Sequence, residues 1–257
     1  MPKKKNKSRG WKVTFLVLGI SILGMLFLLL YQWWREKRSH VVRYAAFGIA
    51  IPTKYSVHGI DVSRYQEYIN WDTVRGVNVD NVQINFAYTK ATEGLDDKDD
   101  FFERNWKRMK AAGLIRGAYH YFLATKSGKD QAWNFIRTVR LEPGDLPPVL
   151  DIEQTYGVHA DRLKERAKQW LETAQAYYGI TPIIYTNVDF YNNYLKKDFD
   201  KYPLWVAHYL EPNQPRISRD WIFWQHSETG RVHGIYTLVD FNVFNGDSTD
   251  FRNILMN

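Results

Sequence analysis

From Val13 to Leu30 the chain runs eighteen residues, VTFLVLGISILGMLFLLL, without a charged side chain. As a helix such a run is about 27 Å long, close to the thickness of a bilayer's hydrocarbon core. It is apolar on every side, whereas a helix at the surface of a soluble core keeps a polar face. Trp11 precedes it and Tyr31, Trp33 and Trp34 follow, where interfacial aromatics sit. Six Lys/Arg and no acid lie before the run. A short tail this basic is hard to translocate, which predicts an N-terminus inside and the rest of the chain outside. A cleaved signal peptide would have an apolar stretch of about 7–15 residues with a small-x-small site close behind; here the first such site, Gly48-x-Ala50, lies far beyond. The expected organisation is a basic cytoplasmic tail (1–12), a transmembrane signal anchor (13–34), a stem (35–55) and a catalytic domain (56–257) on the periplasmic or cell-wall face.

Charge supports this division. Of the 35 Lys/Arg, ten fall within residues 1–43 against the single acid Glu36, so the net charge of +7 belongs to the N-terminus and the remainder is slightly acidic. A nucleic-acid groove in the main domain has no support. The absence of cysteine excludes a thiol nucleophile, disulfides and thiolate-held metals.

From Val57 onward, apolar and β-branched runs alternate with amphipathic stretches. VHGIDVS (57–63), VQINFAY (82–88), RGAYHYF (116–122), PPVLDIE (147–153), TPIIYT (181–186), PLWVAH (203–208) and WIFWQH (221–226) have the composition of strands. Between them, Phe102, Trp106 and Met109 share a helical face that ends at Gly113. Ser127 precedes a second helix, and Leu163, Ala167, Trp170, Leu171 and Ala174 form a third stripe ended by Gly179. Repeated β-helix-β units predict a parallel sheet covered by helices. After about residue 200 the helical patterns stop, and a hairpin is expected at Glu228-Thr229-Gly230. The fold class is α/β: a closed or nearly closed β/α (TIM-like) barrel, with β/α units first and strands with a hairpin last, preceded by one transmembrane helix.

In such barrels the site is built at the C-terminal ends of the strands. There the sequence puts Asp61, Lys90 and Glu93, His120 and Tyr121, Asp151 and Glu153, Tyr185, Trp205, Trp224 and Gln225, and Asp240. The sharpest element is VLDIEQ: Asp151 and Glu153 are two apart on a strand and point to one face, although neighbouring like charges are costly. Either they cap the next helix or pair with Arg162 or Lys164, or one holds the other protonated as a general acid. Most of the 17 Tyr, 14 Phe and 10 Trp must fill a core; Trp224 and Tyr121, beside the acids in strand order, are candidates for stacking on sugar rings. No GxSxG, P-loop, GxGxxG or HExxH pattern is present. His58, three residues before Asp61, is a strand residue rather than a ligand. Four acids at one rim suit Mg²⁺ or Ca²⁺, which keeps a metal-dependent hydrolase in view.

GIDVSRYQ (59–66), KATEG (90–94), GAYHYF (117–122), LDIE (150–153), IYTN (184–187), LWVAHY (204–209), WQHSETGRVHGI (224–235) and VDFNVFNG (239–246) together resemble glycoside hydrolase family 25, the N-acetylmuramidases or lysozymes. The resemblance runs from about Tyr55 to the C-terminus. It implies a flattened β/α barrel and hydrolysis of the β-1,4 bond from N-acetylmuramic acid to N-acetylglucosamine in peptidoglycan, with no cofactor and no metal. It gives Glu153 the role of proton donor, with Asp151, Asp61 and Asp240 as its acidic companions. Tyr121, with Tyr119, Lys90, Glu93, Tyr185, Trp205 and the Trp224-Gln225 pair, would line the sugar cleft. The implied partners are glycan strands and, through residues 13–34, a membrane; the oligomeric state stays open. Two departures stand out: Glu67 where glycine is common, and Tyr88-Thr89 where more apolar residues are usual.

The mechanism expected is acid catalysis by Glu153, with displacement either by a second carboxylate or by the substrate's own N-acetyl group, oriented by Asp151. The competing expectation from another class is a membrane-tethered barrel that grips glycan without cutting it.

Overall fold

The computed structural model describes residues 7–36, 41–209 and 211–257, in two compact units, Met1–His40 and Val41–Asn257. The first contains one helix, α1 (Lys7–Glu36). Its most apolar window, Thr14–Tyr31, has a mean hydropathy of 2.4 and shelters no side chain. Phe15, Leu23 and Phe27 are 64%, 68% and 69% exposed. Ser21 Oγ donates to Val17 O at 3.0 Å, so the helix satisfies its own hydroxyl.

The second unit begins earlier than the expected boundary at residue 56. Strands β1 (Val41–Tyr44) and β2 (Ile49–Pro52) form an antiparallel hairpin. Phe47, Ile49 and Ile51 are buried with Ile60, Trp71, Val74 and Phe241. The Phe47 ring lies 5.3 Å from that of Phe241, and Arg231 N donates to Phe47 O at 2.9 Å. The reading of 35–55 as a stem is therefore corrected from Val41 on; residues 37–40 lie outside the described residues. The apolar character of AAFGIAIP is that of an element with a core to enter.

Eight strands close the barrel: β3 (His58–Val62), β4 (Val82–Glu93), β5 (Ile115–Tyr121), β6 (Val149–Asp151), β7 (Ile183–Asn187), β8 (Leu204–Ala207), β9 (Phe223–Gly230) and β10 (Val239–Phe244). The first seven are neighbours in sequence order and parallel; β10 is antiparallel to both β9 and β3 and completes the ring. Helices α2 (Trp71–Arg75), α3 (Phe102–Ala111), α4 (Gly128–Thr138) and α5 (Ala160–Tyr178) cover the outside. Ser127 Oγ accepts from Asp130 N at 3.3 Å at the start of α4, and Gly179 ends α5 with φ +71, as its left-handed stop requires.

The last third differs from expectation in two ways. The β9–β10 connection is residues 231–238, not Glu228-Thr229-Gly230: β9 continues to Gly230 by taking register breaks after Gln225 and after Ser227, the usual way a strand absorbs extra residues. A further helix, α6 (Ser248–Asn253), follows β10. Its Phe251 is buried against Phe86, Phe223 and Phe244, with ring centroids 5.3, 6.3 and 5.1 Å away.

Alternation along the strands sorts the barrel interior. Phe86, Tyr88, Trp205, Phe223 and Phe244 fill its lower part. Gly117 is required beside Tyr88, where a Cβ would come within 2.1 Å of the ring. Tyr88, one of the departures from the family pattern, packs 4.8 Å from Trp205 and donates its hydroxyl to Pro147 O. Glu67, the other, adopts φ 49 and ψ −126, a region that favours glycine.

A chain beginning at Val41 is expected to keep the stability of this unit, whereas one beginning at Tyr55 loses Phe47, Ile49 and Ile51. Each buried side chain of this size contributes about 1.5–3 kcal/mol, and about 2–4 °C of Tm accompanies each kcal/mol in a domain of this size. Thermal unfolding should place the shorter chain about 10 °C or more below the longer one. Equal Tm values would detach the hairpin from the domain.

Candidate active site

A cleft of about 570 Å³ opens at the C-terminal end of the parallel strands. Strand alternation delivers its acids: Asp61 lies above Gly59 on β3, Asp151 above Val149 on β6, and Asp240 enters from β10, which pairs Asp240 with Asp61. Glu153 stands two residues past Asp151, just beyond the end of β6, and faces the same cleft. Lys90 and Glu93 belong to β4 itself rather than following it. A register break between Lys90 and Thr92 adds one residue to the strand, so two side chains three apart both face the opening.

The acids form two hydrogen-bonded pairs. In the first, Asp61 Oδ2 accepts from Gln225 Nε2 at 2.9 Å and from Asn242 Nδ2 at 2.7 Å. Both amides are locked. Gln225 Oε1 accepts the hydroxyls of Tyr185 and Tyr209 at 2.8 and 2.6 Å, and Asn242 Oδ1 accepts Trp205 Nε1 at 2.8 Å. With the amide oxygens so engaged, the NH₂ groups must face Asp61. Burial raises the Asp61 carboxyl above the ordinary range, and these donors oppose the rise. Asp240, hydrogen-bonded to Asp61, is pushed up to about 9, by burial first and by the charge of Asp61 second. The proton of this pair therefore sits on Asp240 and the charge on Asp61.

In the second pair, burial lifts Asp151 well above the usual carboxylate range, the charge of Glu153 adds to the rise, and the two are hydrogen-bonded to each other. Glu153 is also raised, by burial first, but its bond from Asp151 opposes the shift. The free pair thus holds one proton, on the deeper Asp151 side. Asp151 Oδ1 is buried without a hydrogen-bond partner. Lys90 Nζ pairs with Glu93 Oε2 at 2.6 Å and lies 4.9 Å from the centre of the Tyr121 ring.

Eleven of the thirteen residues singled out in the sequence line this one cleft: Asp61, Lys90, Glu93, Tyr119, Tyr121, Asp151, Glu153, Tyr185, Trp205, Gln225 and Asp240. Trp224 does not. It is fully buried on the other face of β9, packed near Tyr55 and Trp221, with Nε1 donating to His208 O at 2.8 Å. Adjacent strand residues point to opposite faces, so with Gln225 inward Trp224 is a core residue and not a sugar platform. His120, expected at the rim beside Tyr121, is turned outward for the same reason. Thr92 Oγ1 lies 2.7 Å from its Nδ1 and Gln131 Oε1 3.2 Å from its Nε2, and it stacks on Trp170. Burial lowers its pKa to about 3, so it is neutral. Lys164, a suggested partner for the acids, instead pairs with Asp198 at 2.7 Å.

Sequence reasoning did not single out Arg64, Tyr65, Tyr156, Tyr209 and Glu228, which also line the cleft, nor Asn242. The signal for Asn242 was present, because it lies two residues from Asp240 on one strand and so shares its face. Among the described residues no set of three or more His, Cys, Asp or Glu side chains forms a metal cage.

The sequence profile of the glycosyl hydrolases family 25 matches residues 60–235. The chain is 45% identical over 201 residues to the protein YegX of Escherichia coli K12, covering 78% of this chain and 74% of that one. It is 37% identical over 211 residues to lysozyme M1 of Streptomyces globisporus, covering 75% and 69%. The crystal structure of a bacterial lysozyme from Streptomyces coelicolor superposes with a TM-score of 0.69 at 35% identity, over 77% of this chain and 96% of that one.

The raised carboxyl of Asp240 makes a stability prediction. The folded state holds this proton up to about pH 9, whereas the ordinary value is 3.8. Its contribution is fully present below about pH 4 and is lost as pH rises towards 9. In Asp240→Asn the amide keeps a donor for Asp61 and does not titrate. The variant should gain stability over the parent by a margin that widens between about pH 4 and pH 9 in urea unfolding; a margin independent of pH would refute the assignment.

Proposed function

The chain belongs to family 25 of the glycosyl hydrolases and is a glycoside hydrolase, and we propose that its substrate is peptidoglycan, cut at the β-1,4 bond between N-acetylmuramic acid and N-acetylglucosamine. The relatives' names as lysozymes support the substrate. The observation that carries the mechanism is the hydrogen-bonded Asp151–Glu153 pair lining the cleft, with both carboxyls raised by burial first and Asp151 the more strongly.

Asp151 lines the cleft, where the accessible side of its carboxylate can accept the N–H of the substrate's acetamido group. Accepting it favours the ionised form of Asp151, which passes the shared proton to Glu153. Glu153 then protonates the glycosidic oxygen as the bond to C1 breaks. The acetamido carbonyl oxygen, held by its N–H on Asp151, bonds to C1 from the opposite side. Water, losing a proton to the Glu153 carboxylate, attacks C1, breaks that bond and regenerates both the acetamido group and the acid. This route needs no carboxylate at nucleophile distance and gives Asp151 an orienting and charge-stabilising role. Tyr119, Tyr121 and Tyr185, with Trp205, line the cleft that would take the sugars.

Glu153→Gln should lower turnover by roughly 10²–10⁴, measured as new reducing ends from purified peptidoglycan, and mass analysis should find those ends on muramic acid. Near-normal release by the variant, or ends on glucosamine, would refute the reading. Activity depends on one proton in the pair, so its pH profile should be bell-shaped. Removing the Asp61 charge, which raises Glu153 and Asp151, should shift the alkaline limb of Asp61→Asn to lower pH. An unmoved limb would separate Asp61 from the pair.

For location we propose a retained anchor with the N-terminus cytoplasmic and the hydrolase extracytoplasmic, supported by the six basic residues before the apolar run and by the length and hydropathy of α1. The protein should stay with membranes through a carbonate wash, and its hydrolase unit should be digested by protease added outside sealed cells or spheroplasts. Extraction by carbonate, or protection from the protease, would overturn the arrangement.

A further inference from the structure

The hydrolase unit has a second recess besides the acidic cleft. It measures about 900 Å³ and is walled by residues 68–73, by α3 through Arg104 and Arg108, and by the β9–β10 connection at 231–237. One wall follows β3 in the chain and the other follows β9. One short segment separates them: Arg64 and Tyr65 line the cleft, Tyr68 lines the recess, and between them Gln66 Nε2 donates to Leu238 O at 2.9 Å. The 231–237 wall is seated firmly, since Asn70 N donates to Gly234 O at 2.9 Å.

Its chemistry is opposite to that of the cleft. Three arginines, Arg104, Arg108 and Arg231, face one acid, Asp72. Arg104 is committed to the wall: its guanidinium lies over the Tyr68 ring at 4.9 Å and donates twice to Ile69 O at 3.2 Å. Arg108 and Arg231 are exposed, and among the described residues neither side chain has an ion-pair or hydrogen-bond partner. Guanidinium groups with open forks are suited to carboxylates, which they bind through two parallel hydrogen bonds. Tyr236, 94% exposed at the lip, adds an aromatic surface.

We propose that this recess receives the acidic peptide that branches from the glycan strand, with Arg108 and Arg231 binding its carboxylates while the sugars occupy the cleft. The proposal rests on the peptidoglycan reading above. It follows from the position of the recess one loop away from the cut bond and from its charge. Carboxylates on a branch of a glycan held in an acidic mouth are repelled by it and drawn to unpaired cations across the 64–68 segment.

The test uses the full chain in detergent and an Arg108→Ala/Arg231→Ala double variant, whose exposed sites should leave thermal unfolding unchanged. Two substrates are compared: glycan with its peptides, and the same glycan stripped by an amidase. The double variant should reduce the preference for peptide-bearing over stripped glycan about tenfold, in KM rather than kcat, as expected for binding energy shared by ground and transition states. In parallel, calorimetric titration with the acidic peptides released by the amidase should give binding to the parent chain that salt weakens and that the double variant lowers tenfold or more. An unchanged preference, or no titratable binding to the parent, would overturn the proposal. Arginine-dependent binding of anionic phospholipid vesicles without peptide binding would overturn it in favour of a membrane contact. If the parent cleaves neither glycan the muramidase reading fails, and the peptide titration still decides the role of the recess by itself.

Discussion

Closing eight strands into a ring decides which side chains meet. Once β10 pairs with β3, every second residue of every strand points into one shared interior, and the interior is too narrow for more than a few rings per layer. Phe86, Tyr88, Trp205, Phe223 and Phe244 take the lower layers and Phe251 packs beneath them. The polar residues that end the strands are then left standing on an aromatic floor with water on one side only. That asymmetry raises the carboxyls of Asp61, Asp151, Glu153 and Asp240 together, burial being the first cause in each. The unusual protonation of the mouth is thus a consequence of filling the barrel with rings.

Four acids in one mouth would repel one another if all were ionised. The structure resolves this by pairing them, so that each pair shares a proton and holds one charge. Which member keeps the charge is set by neighbouring side chains. Asn242 and Gln225 hold Asp61 ionised only because Trp205, Tyr185 and Tyr209 occupy their carbonyl oxygens; an amide free to flip would present an oxygen to the carboxylate instead. The second pair has no such lock, and Asp151 Oδ1 is left without a partner. One pair is fixed and the other can move its proton, a division that suits a fixed electrostatic background and a working acid.

Most of this arrangement was legible in the sequence because a period of two is simple to follow. Asp61, Asp151, Glu153 and Asp240 each lie at the end of a strand-like run, and once those runs form a barrel their address is common. The same rule, applied one residue at a time, would have separated Trp224 from Gln225 and His120 from Tyr121: neighbours on a strand cannot both face in, and treating WQ as a unit hid this. What could not be read was where the period breaks. Lys90 and Glu93 share the cleft only because of an extra residue in β4, and β9 outruns its expected turn by two register breaks. Bulges arise from pairing with a partner strand, which local composition does not encode. The hairpin at 41–52 was hidden differently: two four-residue strands after an apolar helix look like a stem until the surface that buries Phe47 and Ile51 exists.

Charge in this chain is informative by placement and misleading by total. The net +7 belongs to the first 43 residues, and the remainder is slightly acidic. Within that remainder several cations are neutralised in place: Arg116 by Asp145 at 2.8 Å, Lys90 by Glu93 at 2.6 Å and Lys164 by Asp198 at 2.7 Å. Arg108 and Arg231 are not, and they face a recess one loop from a mouth holding two negative charges. Two fields of opposite sign therefore lie on either side of the short segment from Arg64 to Tyr68. On the reading proposed above, such fields would sort a polymer of neutral sugars with acidic branches by charge, the mouth admitting the uncharged backbone and the recess drawing the carboxylates.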